Sequence, residues 1–434
     1  MTEGLVSLFQ QNTKHNDGLF AGRARFLDLS ARFVLGLIRR SACIDLETYS
    51  QPGTRQLKAG LPPIQKESEM LKTKTLLAGA ISLLIANQAA ALNEAQQDQT
   101  GTDNYADVVQ QTGTDNYSSQ IQDGDANVAY TLQNGSELTA SSEQRGAGNI
   151  STIEQDGLGS QANVSQGGSY NLATVYQEAY GEVGHTATIS QIGRQNLAYV
   201  EQVDGAVSVA DIYQNGEGNS VDVTQQMTAN HLSAEQTGNG NTALVEQFGN
   251  TSAYISQTGN ANAIDFRQDG AFSGAFASIS QDGTGNEVNL SQQASRYSAG
   301  DVRLVQIGAD NTADVSESSG FGSFSFTQDG TGNELTAQHG GRSTTVEGTS
   351  TGDFNRVDIR QDFDGSSLTI AQNGTRNEID VDQTGYYGVG DIQQTGTENF
   401  ASLVQIGNSS SVTQETALIM QNGTGNSAFV TQGQ

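Results

Sequence analysis

Apolar and polar residues alternate along this chain in short bursts, and from residue 99 onward the bursts recur mostly every 11 residues. One burst runs Gln236-Thr237-Gly238-Asn239-Gly240-Asn241-Thr242-Ala243-Leu244-Val245-Glu246-Gln247. The same wording returns from Gln191 to Gln202 and from Gln421 to Gln432, so the unit is Q-x-G-x-x-N-x-A-x-V-x-Q. Anchoring each unit on its first Gln divides Gln99 to Gln432 into 29 intervals, 22 of them 11 residues long. Glu317, His339 and Ser350 stand where Gln is expected. Extra residues gather near Tyr180, Gly274, Ser295 and Ser410, as lengthened turns would. A fixed repeat settles the architecture first, because each unit is a module that only its neighbours can complete.

An 11-residue period suits either a right-handed coiled coil or a strand with a turn. Gly stands two or three steps into most units, usually with Asn after it, and Gly costs a helix about 1 kcal/mol relative to Ala. Parity decides more sharply. With the Asn as zero, offsets two and four hold Ala198 and Val200, Ala243 and Val245, Val288 and Leu290, Val357 and Ile359, Ile379 and Val381. Offset six is Gln. Charges take the odd offsets, among them Glu201, Asp222, Glu246, Arg267, Asp358 and Asp380, and the even offsets read as uncharged. Such alternation marks a strand with one buried face. The expectation is an all-β protein, a β-solenoid of about 14–15 stacked coils with two short strands per coil of about 22 residues, spanning roughly 70 Å at ~4.8 Å per coil. Inward Asn and Gln would form ladders, since an amide offers both donor and acceptor to its copies above and below. Pairs such as Asp123-Gly124, Asp282-Gly283, Asn215-Gly216 and Asn422-Gly423 supply the positive φ that tight reversals need.

The N-terminal part is different. Residues 1–69 lack the repeat and hold all three prolines and the single cysteine, Cys43. Phe26 to Ile38 is too short and too charged to span a membrane. From Met70 the pattern is that of a secretory signal peptide. Lys72 and Lys74 form a basic start, Leu76 to Ala86 an apolar core, and Ala89-Ala90-Ala91 a cleavage site, which gives a signal peptide over 70–91. Translation is then expected to start at Met70, with 1–69 a misassigned extension. Lys66-Glu67 can be encoded by AAGGAG, a ribosome-binding sequence. The alternative is a genuine N-terminal segment with an uncleaved anchor. A short polar segment over 92–98 would lead into the array over 99–434.

Composition removes most chemistry. Residues 92–434 have no Lys, Cys, Pro or Trp, and 9 Arg against 41 Asp and Glu, a net charge near −32. Without Cys there is no disulfide framework, and without Pro nothing interrupts a hydrogen-bond ladder. The negative balance argues against nucleic acid or an anionic membrane as primary partner, and no membrane insertion of the exported chain is expected. His185, His231 and His339 are scattered without metal-ligand spacing and are expected as single surface or turn residues. No nucleophile elbow, phosphate loop or acid–base pair stands out, so no enzyme activity, cofactor or metal is expected. Calcium, which acidic nonapeptide solenoids bind, has no regular set of turn carboxylates here.

The motif Q-x-G-x-x-N-x-A-x3-Q, repeated across residues 99–432 behind a signal peptide, resembles the curlin repeat of bacterial curli subunits. That resemblance implies a secreted functional amyloid. Its subunits would leave through an outer-membrane pore with curli accessory proteins. They would polymerise with copies of themselves and other curlin-like subunits into cell-surface fibres for adhesion and biofilm. The ladder positions of that repeat fall here on Gln191, Asn196, Gln202, Gln236, Asn241, Gln247, Gln281, Asn286, Gln292, Gln372, Asn377, Gln383, Gln421, Asn426 and Gln432. The chain departs from typical curlins in having about three times their five coils, and in repeating the full Q-x-G-x-x-N in many half-units. Two other classes compete. A non-polymerising surface solenoid, as adhesin stalk or ice-binding protein, would show a regular outward Thr ladder if it bound ice. A polysaccharide-cleaving β-helix needs larger coils and a clustered carboxylate or Arg groove.

Overall fold

The computed structural model describes residues 92–434 other than 182, 206, 271–273, 295–298, 319, 408–414 and 434. The extension expected over 1–69 and the signal peptide expected over 70–91 lie outside the described residues. From Glu94 the chain folds into strands joined by turns, with no helix among the described residues. Odd-numbered strands in chain order form one 15-stranded sheet and even-numbered strands form another. All the strand pairings are parallel, and each coil is one odd strand, a turn, one even strand and a return.

Coils lie on one another residue upon residue. In the odd sheet Gln191 pairs with Gln214, Gln214 with Gln236, and Gln236 with Gln257. In the even sheet Gln202 pairs with Gln225, Gln225 with Gln247, and Gln247 with Gln268. This register puts the even offsets inside. In β10 (Leu197–Val203) Ala198, Val200 and Gln202 are buried while Leu197, Tyr199 and Glu201 face outward. Fully burying a Val or Ile stabilises by about 1.5–3 kcal/mol. No single coil could fold on its few such residues, but the stacked rows merge into one apolar cluster from Ala140 to Ile419.

The 92–98 stretch is part of the array rather than a lead-in. Strand β1 (Glu94–Thr102) already pairs with the coil above it, Gln99 opposite Gln122. Its alternation is invisible because one inward residue, Gln97, is as polar as its outward neighbours. Gln97 donates to Gln120 at 3.0 Å and Gln120 to Thr131 at 3.0 Å, so the first coils have a polar interior.

The two edges of the stack follow different rules. From odd to even strand the connection is always two residues. Its first residue is left-handed in every coil, with φ from 53° at Arg376 to 69° at Gly218 and Gly285. Most of these residues are not Gly, although the left-handed region costs other residues roughly 1–2 kcal/mol; the register of the stack imposes it. From even to odd strand the connection runs from two residues (Glu137–Leu138) to ten (406–415). Every extra residue near Tyr180, Gly274, Ser295 and Ser410 falls on this second edge.

Candidate assembly interface

The three signature residues of the repeat act on one another across coils. Gln191 accepts from Gln166 Nε2 at 2.8 Å, donates to Gln214 Oε1 at 2.8 Å, and donates across the core to the Leu172 carbonyl at 3.1 Å. Gln236 and Gln281 do the same in the odd sheet. Gln372 donates onward to Gln394 but accepts from the Ser350 hydroxyl at 3.0 Å. Gln421 accepts from Gln394 and ends the row. In the even sheet Gln202, Gln247 and Gln383 donate to Gln225, Gln268 and Gln405 at 2.7–3.0 Å, and Gln432 accepts from Gln405 at the end. In each of these Gln–Gln contacts the donor lies in the earlier coil.

The Asn row runs the other way. Asn196 donates through its backbone N–H at 3.1 Å and its Nδ2 at 3.0 Å to Asn171 Oδ1 in the preceding coil. Its Nδ2 also reaches the Gly216 carbonyl of the following coil at 3.1 Å. Asn241, Asn286 and Asn377 repeat these contacts, and Asn426 repeats the backward pair onto Asn399.

The Gly explains the spacing. In each odd strand it stands second from the end, still in the ladder, and its carbonyl is the one the preceding coil's Asn holds. A Cβ on Gly238 would lie 1.9 Å from the Gly259 carbonyl oxygen. The backbones approach too closely for any side chain. The Asp-Gly and Asn-Gly pairs at these odd-strand ends are therefore not the reversals themselves; the reversal is the left-handed residue two positions later.

Replacing Gln247 with Ala leaves Gln225 Nε2 and Gln268 Oε1 short of a buried partner, at a cost of about 1–3 kcal/mol. Because each coil contacts only its neighbours, the expected result is faster amide exchange around residues 225–268 with the stack intact; loss of all assembly would contradict it.

The even ladder breaks once, and the break corrects two expectations. Glu317 occupies an even offset and is buried, and His339, expected at the surface, is buried beside it. His339 Nδ1 contacts Glu317 Oε2 directly. Gln292 consequently does not reach forward; its Nε2 bonds to the Phe276 carbonyl at 2.9 Å and to the Gly300 carbonyl. On the far side, His339 Nε2 and Gln361 Oε1 are buried without hydrogen-bond partners. His185 is a turn residue, as expected, but is also buried. Its Nδ1 accepts from the Ser208 N–H at 3.3 Å and its Nε2 lies 3.3 Å from the Glu178 carbonyl. Burial holds this imidazole below its ordinary pKa. His231 is outward and packs edge-on to Tyr254. Among the described residues, no three His, Cys, Asp or Glu side chains are grouped to hold a metal.

The two ends of the stack differ chemically. No described strand covers β1, β2 (Tyr105–Gln110), β29 (Thr416–Thr424) or β30 (Ser427–Gln432) on its outer side. At the late end, Gln421 and Gln432 each spend one N–H on a carbonyl, at 2.9 Å in both cases, and the other points along the stack. Asn426 Oδ1 faces the same way, and Ala428 and Val430 are only partly covered. At the early end the corresponding groups are the Oε1 atoms of Gln99 and Gln110 and the N–H of Asn104. No family model and no curated protein matches this chain.

Proposed function

We propose that this chain is a secreted structural subunit of curli-like amyloid fibres, serving adhesion and biofilm matrix, and that copies join end to end. The observation that carries the reading is the complementarity of the two ends. β29 and β1 are both nine residues long, and β30 and β2 both six. Continuing the ladder register past the last coil sets Gln421 on Gln99, Gln432 on Gln110 and Asn426 on Asn104 of a second copy. Each late-end donor then meets an early-end acceptor, the Asn104 N–H meets Asn426 Oδ1, and Ala428 and Val430 cover Ala106 and Val108. Two late ends face to face would oppose donor with donor; two early ends would oppose acceptor with acceptor. A head-to-tail contact of this kind does not close, so it yields a filament. Rows of like residues in parallel register are the cross-β arrangement, and open strand edges template such pairing. One inward position is unlike, Ile419 against Gln97, so the junction is weaker than an internal interface. Export through an outer-membrane pore with curli-type accessory proteins belongs to the same reading and rests on the repeat and the signal peptide.

The test is incubation of the exported chain, residues 92–434, with thioflavin T, followed by electron microscopy. Dye-binding fibres are the expected result; a persistently monomeric, dye-negative protein would replace this reading with a surface stalk.

Charge should set the rate. Repulsion among outward carboxylates is screened beyond about 8–10 Å at physiological salt and acts further at low salt. Burial, then Glu246, pushes the Asp265 carboxyl up; burial, then Asp358 and Asp382, does the same to Asp380; burial alone raises Glu154. A raised carboxyl opposes the folded stack while ionised, and that opposition is lost as pH falls through its folded pKa. His185 acts in the reverse sense. Its pKa is depressed in the fold, so the unfolded chain takes up a proton first, and stability falls below pH ~6.5. Lag times should shorten as pH falls from neutral toward 4, where carboxylates protonate, and with added salt. A lag indifferent to both would show that repulsion is not the brake.

A further inference from the structure

On the edge where even strands return to odd, four successive connections have the same length. They are 318–322, 340–344, 362–366 and 384–388, five residues each. Equal length lets the turns themselves stack. Ser343 N–H bonds to the Gly320 carbonyl at 2.8 Å, Gly365 N–H to the Arg342 carbonyl at 2.9 Å, and Tyr387 N–H to the Asp364 carbonyl at 3.1 Å. The fourth residues of the four turns form a column that reads Phe321, Ser343, Gly365, Tyr387. Two aromatic residues are thus held three coils apart, roughly 14 Å, with small residues between them. The gap is an open notch of about 300 Å³, lined by these four residues and by Arg342 and Asp364. Phe321 is 61% exposed and Tyr387 47%. Both have left-handed backbones, at φ 57° and 58°, which cost such residues roughly 1–2 kcal/mol. The fold does not call for aromatics here, since Ser343 and Gly365 fill the same place in the coils between.

The walls of the notch are held in place. The Tyr387 ring lies against the Gly365 backbone, where an added Cβ would be 2.6 Å from Tyr387 Cδ1. Arg342 donates from Nε at 2.9 Å and Nη2 at 2.7 Å to Asp364 Oδ2, and its backbone N–H donates to Oδ1 at 2.9 Å. The side-chain bond from Arg342 keeps the Asp364 carboxyl below its ordinary range, so it is ionised and its charge is answered. We infer that this notch binds a neutral saccharide, a short stretch of a longer polysaccharide. Charge narrows the choice. The local charges cancel, and residues 92–434 carry a net charge near −32, which repels an anionic chain. A cation drawn by that net charge would meet the Arg342 guanidinium here. A wholly apolar ligand would strip water from the ion pair and the Ser343 hydroxyl and return no hydrogen bond. A sugar ring has C–H bonds across its face, which suit the electron-rich face of an aromatic ring. It has hydroxyls round its rim, which both donate and accept, as Asp364 Oδ1 and Ser343 Oγ require. The volume is at the bottom of the range for small-molecule sites, so the notch holds a few sugar units. The site lies within one chain and does not depend on head-to-tail growth. A fibre would repeat it once per chain, and many weak contacts to one polymer add to firm attachment.

The experiment is native electrophoresis of unassembled chains, residues 92–434, through gels containing hydroxyethylcellulose, galactomannan or dextran. The wild-type chain should be retarded by at least one of the three, relative to a gel without polymer. The double change Phe321→Ser, Tyr387→Ser should weaken that binding about tenfold, the loss expected of two ring contacts. Its midpoint of thermal unfolding should hold or rise, because Ser343 already occupies this position with φ 54°. Retardation by none of the three polymers, or retardation that the double change leaves intact, would overturn the saccharide site. A lowered midpoint would assign the two rings to the fold and overturn it as well. Because the chains are unassembled, each of these results leaves end-to-end growth standing.

Discussion

Changing Glu317 alone to Ala will destabilise the stack by about 3–5 kcal/mol, whereas changing Glu317 and His339 together to Gln will leave it as stable or add about 1–4 kcal/mol. The pair is wholly buried in the even sheet, in contact through His339 Nδ1. Removing one partner strands the other in a core that offers it no water. Replacing both with Gln restores what other coils have, an amide that accepts from one neighbour and donates to the next. It also gives Gln361 Oε1, which is buried without a partner, the donor it lacks. The Phe324 ring, 5.7 Å from His339, can pack against an amide stem of similar volume. Urea unfolding of the two variants separates the cases. Equal destabilisation by both would mean that the pair itself, rather than an intact ladder, holds these coils together.

The second large effect concerns two glycines two residues apart. Gly238→Ala is expected to cost about 4 kcal/mol or more. Its φ is 117°, a region side chains rarely adopt, and the new methyl would lie 1.9 Å from the Gly259 carbonyl oxygen. Relief requires separating two backbones, which breaks the bonds of Asn219 to Gly238 and Asn241 to Gly259. Gly240→Ala should cost only about 1–2 kcal/mol. Its φ is 66° and nothing lies within 4 Å of the added carbon. Ala261 holds that position in the next coil at φ 55°. Comparing midpoints of thermal unfolding tests the contrast; similar shifts would mean that the close approach in the Gly row is not what selects glycine.

The fold was legible because alternation and period are properties of the chain itself. Ala198, Val200 and Gln202 fall inside for the same reason that Glu201 falls outside, and a period of 11 fixes which residues stack. Three things were not legible. The role of the Gly lies between coils, where its neighbour is another copy of itself, so no single unit displays it. Glu317 and His339 look like surface substitutions when each is read alone; only the register, 22 residues apart, shows that they face each other. Strand β1 escaped because Gln97 and Gln120 make the first coils polar inside. A signal was present for the second case, since both residues stand at the Gln offset, which is inward in every other coil.

The unequal edges decide how such a chain can change over time. Across a connection lengthened near Tyr180, Gln166 and Gln191 are 25 residues apart yet bond at 2.8 Å; across 406–415, Gln394 and Gln421 are 27 apart and bond at 2.9 Å. Extra length on one side therefore leaves the Gln row intact, while on the opposite side the link is two residues in every coil. Foreign peptide grafted after an even strand would be carried at a chosen level of the stack, without disturbing the coils above or below. The same graft after an odd strand would have to break the two-residue link that recurs in every coil.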